Sequence, residues 1–385
     1  MVRLVPARLL FVLALAMCCA VYPVRAQLFE TRAQQAYLID ADTGTVLFAK
    51  NENDLVPPAS LAKLMTMEVV FHAIRTGRLT LDDTFEVSEN AWRTGGAMSR
   101  TSTMFAELKS SIRLEDLIQG VIVQSANDGC IIIAEGMAGS EENFARLMTE
   151  RAREIGLTQS VFGNSNGLPH PDAKVSMKDL VTLARHIQST YPDFYRYFSQ
   201  KDFTWNNIQQ RNRNPLLGLD IGVDGMKTGF TEESGYAIVA SINREGRRLF
   251  LAMGGMTSER ERAEESRKML EWGIRAFERK TLFAQDETIG ELSVYGGASS
   301  AVVRAKGAVD IFIPITNPDR LMARITYGWP LRAPLEAGTQ VGVLKVYIGD
   351  TLSQETPLYV VDGVDKGPLY SQALDALLEL AQFWL

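Results

Sequence analysis

Ser60 and Lys63 lie three residues apart at the start of an apolar segment, PPASLAKLMTM (residues 57–67). Residues i and i+3 of a helix share a face, so a helix here would place the two side chains together. A serine hydroxyl becomes a good nucleophile when a base removes its proton, and a buried lysine with a lowered pKa can act as that base. The pair therefore predicts nucleophilic serine chemistry, although a helix-capping serine beside a solvated lysine has the same spacing.

A second polar motif, Ser125-Ala126-Asn127, interrupts two apolar segments between residues 113 and 139. We predict that Ser125 relays a proton beside Lys63 and that Asn127 binds an amide group of the substrate. The alternative interpretation is that both side chains cap helices.

The third motif, Lys227-Thr228-Gly229, precedes a predicted β-hairpin. Lys227 would supply a second positive charge, which lowers the pKa of Lys63 and attracts a substrate carboxylate. Thr228 would donate its hydroxyl to that carboxylate, and Gly229 would let a substrate backbone approach as an additional strand. An ordinary strand entry is the alternative, but Ser-x-x-Lys, Ser-x-Asn and Lys-Thr-Gly in this order are typical of penicillin-binding proteins and class A β-lactamases.

Other catalytic chemistries lack the residues they need. The chain has three histidines, His72, His170 and His186, and no Gly-x-Ser-x-Gly motif accompanies them. A Ser-His-Asp triad is therefore not indicated. No His, Cys, Asp or Glu pairs have the spacing of metal ligands, so we expect neither a metal nor an organic cofactor.

Predicted hairpins and helices must bring the three motifs together. Alternating apolar patterns at residues 35–51 and 235–256 predict two β-hairpins. Ser140 and Ser176 begin amphipathic segments and are predicted N-caps. Helical periodicity predicts helices over residues 60–77, 113–139 with a break near 124–128, 140–157, 175–192 and 263–279.

The C-terminal part of the chain has a different character. Residues 282–367 contain short strand patterns separated by Gly, Pro and polar turns, which predict a small all-β sandwich domain. Residues 368–385 predict an amphipathic helix that associates peripherally with a membrane. This helix has no Lys or Arg to attract anionic lipid, and packing on the β domain or on another subunit is the alternative.

The N-terminal residues 1–26 resemble a secretory signal peptide, with a basic start, an apolar core and a small-x-small cleavage pattern ending at Ala26. An uncleaved anchor is less attractive because the apolar core is short for a membrane span. Cleavage would leave Cys130 as the one cysteine, expected to be a small buried residue, and would change the net charge from −6 to about −9. An acidic exported protein is not expected to bind nucleic acid.

The chain resembles the class C low-molecular-mass penicillin-binding proteins, which are exported serine-type D-alanyl-D-alanine carboxypeptidases. The resemblance implies an α+β fold, with a β-lactamase/transpeptidase-like catalytic domain (an antiparallel sheet with helices) at residues 27–281, the β-sandwich domain at 282–367 and the terminal helix at 368–385. The stretches that carry it are YLIDADTGTVLFAKN, PPASLAKLMT, VQSANDGCIIIAE, FGNSNGLPHPD, VDGMKTGFTEESGYAIVAS and RAEESRKMLEWG.

The resemblance also implies an activity, namely hydrolysis of the terminal D-Ala-D-Ala bond of peptidoglycan stem pentapeptides. Ser60 would be acylated, by substrate or by β-lactam antibiotics, with Lys63 as general base. The backbone N–H groups of Ser60 and Phe230 would form the oxyanion hole, and Arg262 would help to bind the terminal carboxylate. The expected location is the periplasm, at the outer face of the inner membrane.

Two other functions remain as alternatives. A serine β-lactamase is disfavoured by the extra β domain, by the terminal helix and by the lack of a Glu-x-x-Leu-Asn-type stretch. A non-catalytic wall-binding scaffold is disfavoured because the reactive residues of all three motifs are intact. Phe230 and Ala126 depart from residues common in the family, so side-chain specificity at Phe230 stays open.

Overall fold

The computed structural model describes residues 29–316 and 321–369. The predicted signal peptide at residues 1–26 lies outside the described residues, as does the predicted terminal helix from residue 370 onwards. Both predictions therefore stay predictions. Among the described residues, no helix is long and apolar enough to cross a membrane.

A five-stranded antiparallel sheet forms the centre of the N-terminal part, in the order β2-β1-β9-β8-β7. The two predicted hairpins are confirmed, and the second turns through Glu245 and Gly246, both at positive φ, as a tight hairpin turn requires. The last strand in the order, β7, carries the Lys227-Thr228-Gly229 motif. The strands are β1 (Gln35–Asp40), β2 (Val46–Lys50), β7 (Val223–Thr231), β8 (Gly235–Arg244) and β9 (Arg247–Met256). Two small two-stranded antiparallel sheets pair β3 (Thr84–Glu86) with β4 (Ser111–Arg113) and β5 (Asp202–Trp205) with β6 (Ile208–Arg211).

Helices pack on this sheet and contribute most of the main hydrophobic core. The two predicted serine caps are confirmed, because Ser140 accepts from the Asn143 N–H and Ser176 accepts from the Asp179 N–H. The helices are α1 (Lys63–Arg75), α2 (Leu114–Gln119), α3 (Asn127–Ala138), α4 (Glu141–Glu154), α5 (Met177–Thr190), α6 (Pro192–Tyr195) and α7 (Glu259–Arg275).

Three predicted helix boundaries are wrong, and one of them is the start of the last helix, which is predicted at residue 263 and lies at Glu259. The first helix begins as a tighter 3-10 turn, Ala59–Ala62, and becomes α-helical only at Lys63. The helix predicted to end at residue 279 ends at Arg275, and β10 (Phe277–Phe283) follows. The alternating residues of β10 pair with β13 (Val309–Pro314), so tertiary strand pairing overrides the helical pattern there.

The C-terminal part consists of β-structure, as predicted. Its larger sheet has the order β11-β12-β16-β15-β14, and β10 and β13 form a second sheet. A separate hydrophobic cluster contains side chains from both sheets, as expected for a two-layer domain. The predicted boundary at residues 281 and 282 falls inside β10. The remaining strands are β11 (Gly290–Leu292), β12 (Ala301–Arg304), β14 (Leu321–Tyr327), β15 (Gln340–Ile348) and β16 (Thr351–Val360).

Candidate active site

Ser60 and Lys63 lie side by side where the 3-10 turn passes into α1. The Nζ atom of Lys63 is 3.0 Å from the Oγ atom of Ser60. The lysine side chain is only 1% exposed, whereas Ser60 lines an open cavity. The turn therefore presents the hydroxyl to solvent while the amine beside it stays buried.

Two carbonyl oxygens fix the buried amine of Lys63. Its Nζ atom donates to Asn127 Oδ1 at 2.7 Å and to the backbone carbonyl of Asn166. A neutral amine has two hydrogens and one lone pair. When both hydrogens go to these oxygens, the lone pair is left to point at Ser60, which is the orientation that a general base needs.

Burial lowers the pKa of Lys63 from 10.5 to about 8. Among the charged groups near it, the Arg213 cation lowers this pKa, whereas Glu141 and Asp128 raise it. Neutral Lys63, the form that can act as a base, is therefore well populated at mildly alkaline pH. Arg213 belongs to none of the three motifs, and only its place in the basic stretch before β7 marks it in the sequence.

Lys227 is also buried, at 3% exposure, on β7. Burial lowers its pKa well below the usual value, and repulsion from Lys63 and Arg213 lowers it further. Lys227 was expected to be the cation that lowers the pKa of Lys63. Repulsion between the two buried amines disfavours their simultaneous protonation, and Arg213 is a further cation whose charge lowers the pKa of both.

The Ser125 and Asn127 side chains both line the cavity, and Asn127 also contacts Lys63. Ser125 lines the cavity at a φ of 65°, and its buried Oγ atom has no hydrogen-bond partner among the described residues. It therefore makes no hydrogen bond to Lys63. Asn127 bonds Lys63 through Oδ1, and its Nδ2 atom donates to Thr101 Oγ1 at 2.9 Å. Asn127 thus orients the amine in this structure, in addition to facing the cavity.

Gly229 lies where β7 passes the 3-10 turn. A Cβ atom at this position would lie 3.2 Å from the Ala59 Cβ atom and 3.3 Å from the Ser60 backbone nitrogen. Glycine was predicted here for the approach of a substrate backbone. The structure shows that it also lets the strand lie directly against the turn that holds Ser60.

A cavity of about 550 Å³ opens over these groups. Phe230 is 49% exposed at its edge, and its ring lies 4.3 Å, centroid to centroid, from that of Tyr236. The Arg262 guanidinium lies 5.6 Å from the Tyr236 ring, and its buried Nε atom has no hydrogen-bond partner among the described residues. The main lining residues are Ser60, Thr101, Ser125, Asn127, Arg213, Thr228, Gly229, Phe230, Tyr236, Glu259 and Arg262.

Residues 22–257 match the family described as D-alanyl-D-alanine carboxypeptidase. Residues 277–366 match the family described as penicillin-binding protein 5, C-terminal domain. The chain belongs to the D-alanyl-D-alanine carboxypeptidase family. The resemblance inferred from the sequence motifs is therefore confirmed, together with the catalytic-domain fold and the C-terminal β-sheet domain.

Curated relatives and solved structures align with most of the chain. D-alanyl-D-alanine carboxypeptidase DacC of Escherichia coli K12 is 35% identical over 379 residues, which cover 97% of this chain and 94% of the relative. Among solved structures, penicillin binding protein 5 of Haemophilus influenzae has a TM-score of 0.73 at 34% identity, covering 88% of this chain and 99% of that one. Penicillin-Binding Protein D2 of Listeria monocytogenes in its ampicillin-bound form has a TM-score of 0.56 at 26% identity. The alignment covers 64% of this chain and 99% of that one.

The loop that contacts Lys63 was not predicted as part of the carboxypeptidase site. Asn166 reaches the amine with a backbone carbonyl, which no side-chain motif reveals. Gly167 follows at a φ of 79°, and a Cβ atom there would lie 1.7 Å from the Ala59 carbonyl oxygen. The Asn-Gly pair at these positions was a possible signal, because it marks a tight turn.

Cys130 lies under the site on α3. It is fully buried, as expected, and burial raises the pKa of its thiol to about 12. The thiol is therefore neutral at physiological pH and acts as a small packed side chain. Among the described residues, no cluster of His, Cys, Asp and Glu could hold a metal ion.

Proposed function

We propose that this protein hydrolyses the terminal D-alanyl-D-alanine bond of peptidoglycan stem pentapeptides through an acyl-enzyme on Ser60. The observation that carries the proposal is the buried Lys63 amine, 3.0 Å from Ser60 Oγ and oriented by two carbonyl acceptors. Membership of the carboxypeptidase family supports the reaction and the substrate class. The geometry supports the roles that we propose for the individual residues.

Acylation begins when neutral Lys63 accepts the proton of Ser60. The serine oxygen then attacks the carbonyl between the two D-alanines. The N–H groups of Ser60 and Phe230 stabilise the oxyanion, and Gly229 lets strand β7 lie close enough to the nucleophilic turn for the two donors to converge. The proton passes to the leaving amine through Lys63 and Ser125, whose uncommitted hydroxyl lines the cavity.

Deacylation uses the same base. After D-alanine leaves, a water molecule replaces it beside Lys63, which removes a proton as the water attacks the ester. The hydroxyl of Ser60 is then restored. No metal or organic cofactor takes part in this sequence.

The substrate carboxylate is bound by the cationic side of the cavity. Thr228 donates its hydroxyl there, and Arg213 and Arg262, which line the cavity, supply positive charge. Arg262 has a guanidinium nitrogen available for a new hydrogen bond. β7 hydrogen-bonds to β8 on one side, so its other edge can pair with the extended substrate backbone.

β-Lactams are proposed covalent inhibitors because their strained amide would occupy the place of the scissile bond. The ampicillin-bound relative from Listeria monocytogenes supports this assignment. We also propose that the protein is exported, works in the periplasm and associates with the outer face of the inner membrane through residues 368–385.

The test is the release of D-alanine from a Lys-D-Ala-D-Ala peptide by the purified mature protein, with Ser60→Ala as the matched control. Release that depends on Ser60 supports the carboxypeptidase proposal. Penicillin hydrolysis without D-alanine release would instead establish a β-lactamase. Neither release nor a penicillin adduct would establish a scaffold.

A further inference from the structure

A chain of hydrogen bonds leads from the Lys63 amine to a carboxylate outside the cavity. The Asn166 carbonyl accepts from Lys63, and the preceding residue, Ser165, donates its hydroxyl to Glu141 Oε1. The Ser165 carbonyl accepts from Thr66 Oγ1 at 2.5 Å, one helical turn beyond Lys63 on α1. The loop is thus attached on one side to the base-bearing helix and on the other to α4.

The loop depends on such side-chain bonds for its position. Residues 162–169 form bends and no regular element, so no ladder of backbone hydrogen bonds holds the Asn166 carbonyl in place. Ser165 is fully buried and Asn166 is 2% exposed. Glu141 is the first residue of α4, where the rigid helix start anchors its carboxylate and its negative charge is favoured.

We propose that Glu141 is a positioning residue for the general base, which fixes the Asn166 carbonyl through Ser165 and thereby directs the Lys63 lone pair at Ser60. This inference rests on the proposed function. It adds a residue outside the three motifs and outside the cavity lining to the machinery that prepares the base. Glu141 touches neither the substrate nor the reacting atoms, and so it acts through Ser165 and Asn166.

The negative charge of Glu141 has a second effect, on the pKa of Lys63, which can be measured separately from its positioning effect. Glu141 raises the pKa of Lys63, as Asp128 also does, while burial and Arg213 lower it. The second buried amine, Lys227, repels Lys63 as well. Removal of the Glu141 charge therefore makes the neutral amine available at lower pH.

The surroundings of Glu141 raise the pKa of its carboxylate above the usual value. Burial raises its pKa, the Ser165 hydroxyl lowers it, and the neighbouring carboxylates Glu135 and Glu142 raise it. Glu142 is the next residue of α4 and is exposed. It offers a matched control with the same chemistry and nearly the same sequence position, but without the hydrogen bond to Ser165.

The experiment measures kcat and KM for D-alanine release against pH for Glu141→Gln, Ser165→Ala and Glu142→Gln in the mature protein. The Glu141→Gln variant keeps an oxygen acceptor for Ser165, so its kcat at alkaline pH stays within about twofold of the wild-type value. The acid limb of its kcat–pH profile, where kcat falls as Lys63 becomes protonated, moves to lower pH. Ser165→Ala keeps the charge but loses the donor, so kcat falls about tenfold with KM unchanged. Glu142→Gln leaves kcat, KM and the limb unchanged.

An acid limb that stays in place in Glu141→Gln would overturn the electrostatic part. A wild-type kcat in Ser165→Ala would overturn the positioning part. Thermal unfolding of each variant separates a folding defect from either outcome, because loss of fold lowers the fraction of active enzyme without moving the limb. Failure of the proposed function is distinguishable, since the wild-type protein itself would then release no D-alanine.

Discussion

The side-chain oxygen of Asn127 accepts a hydrogen bond from Lys63 Nζ at 2.7 Å, although the two residues belong to different helices, α3 and α1. The Asn127 amide nitrogen is occupied by Thr101 Oγ1, so the amide cannot turn over without losing both bonds. The second motif therefore sets the hydrogen-bonding state of the base in the first motif.

Replacement of this amide by a carboxylate changes the charge with little change in shape. Asn127→Asp places an anion against the Lys63 amine, which raises the pKa of Lys63. We expect activity near pH 7 to fall at least tenfold and to recover in part at higher pH. The measurement is kcat/KM against pH for a D-Ala-D-Ala peptide. An acid limb at the wild-type position would contradict the expectation.

The buried amine of Lys63 also affects stability. Its pKa is about 8 in the folded protein and near 10.5 when unfolded, so between these values the unfolded chain binds more protons. The free energy of unfolding therefore rises with pH across that window, and it is lowest below pH 8. Lys63→Met, which has a similar length and no charge, should abolish turnover and raise stability at pH 7 by about 1–3 kcal/mol.

Chemical denaturation of the Lys63→Met protein at pH 7 and pH 10 measures this effect. The stability difference from wild type should shrink at the higher pH, where the wild-type amine is neutral in the folded state. A variant that is less stable than wild type at pH 7 would show that the amine's hydrogen bonds outweigh its burial.

A substitution at Gly229 would test the contact between β7 and the 3-10 turn that holds Ser60. Gly229→Ala forces a methyl group against Ala59 and Ser60, which must shift by a few tenths of an ångström. We expect acylation by a fluorescent penicillin to slow about 10- to 100-fold with the protein still folded. Gly218→Ala is the control, because a Cβ atom there meets nothing within 4 Å. Equal acylation rates for the two variants would dismiss the contact as unimportant.

Arg213 supplies a cation that the three sequence motifs do not include. Its loss in Arg213→Gln raises the pKa of both Lys63 and Lys227, because its charge lowers both. The acid limb of kcat/KM should move to higher pH, and KM for the anionic peptide should rise several-fold. Arg211→Gln, at an exposed neighbouring position, should change neither. If Arg213 had no electrostatic role, the pH profiles of Arg213→Gln and Arg211→Gln would coincide.

The sequence predicted the hairpins, the capped helices and the proximity of Ser60 and Lys63, because these depend on local periodicity and local spacing. It did not predict the Asn166 carbonyl, because a backbone oxygen has no residue type to recognise. It also missed Arg213, whose loop approaches the site only in three dimensions. The end of α7 was misplaced because pairing of β10 with β13 is a long-range choice.

Among the described residues β7 is an edge strand of its sheet, and this has a consequence for the behaviour of the protein in concentrated solution. An unpaired strand edge accepts any extended chain, including the same edge of another copy, and this is a common start of aggregation. Arg213 and Arg262 line the cavity at this edge and give it positive charge. Two identical edges would repel each other, whereas a peptide that ends in a carboxylate is attracted. We therefore expect the cations proposed to bind the substrate carboxylate to oppose self-association of the open sheet as well.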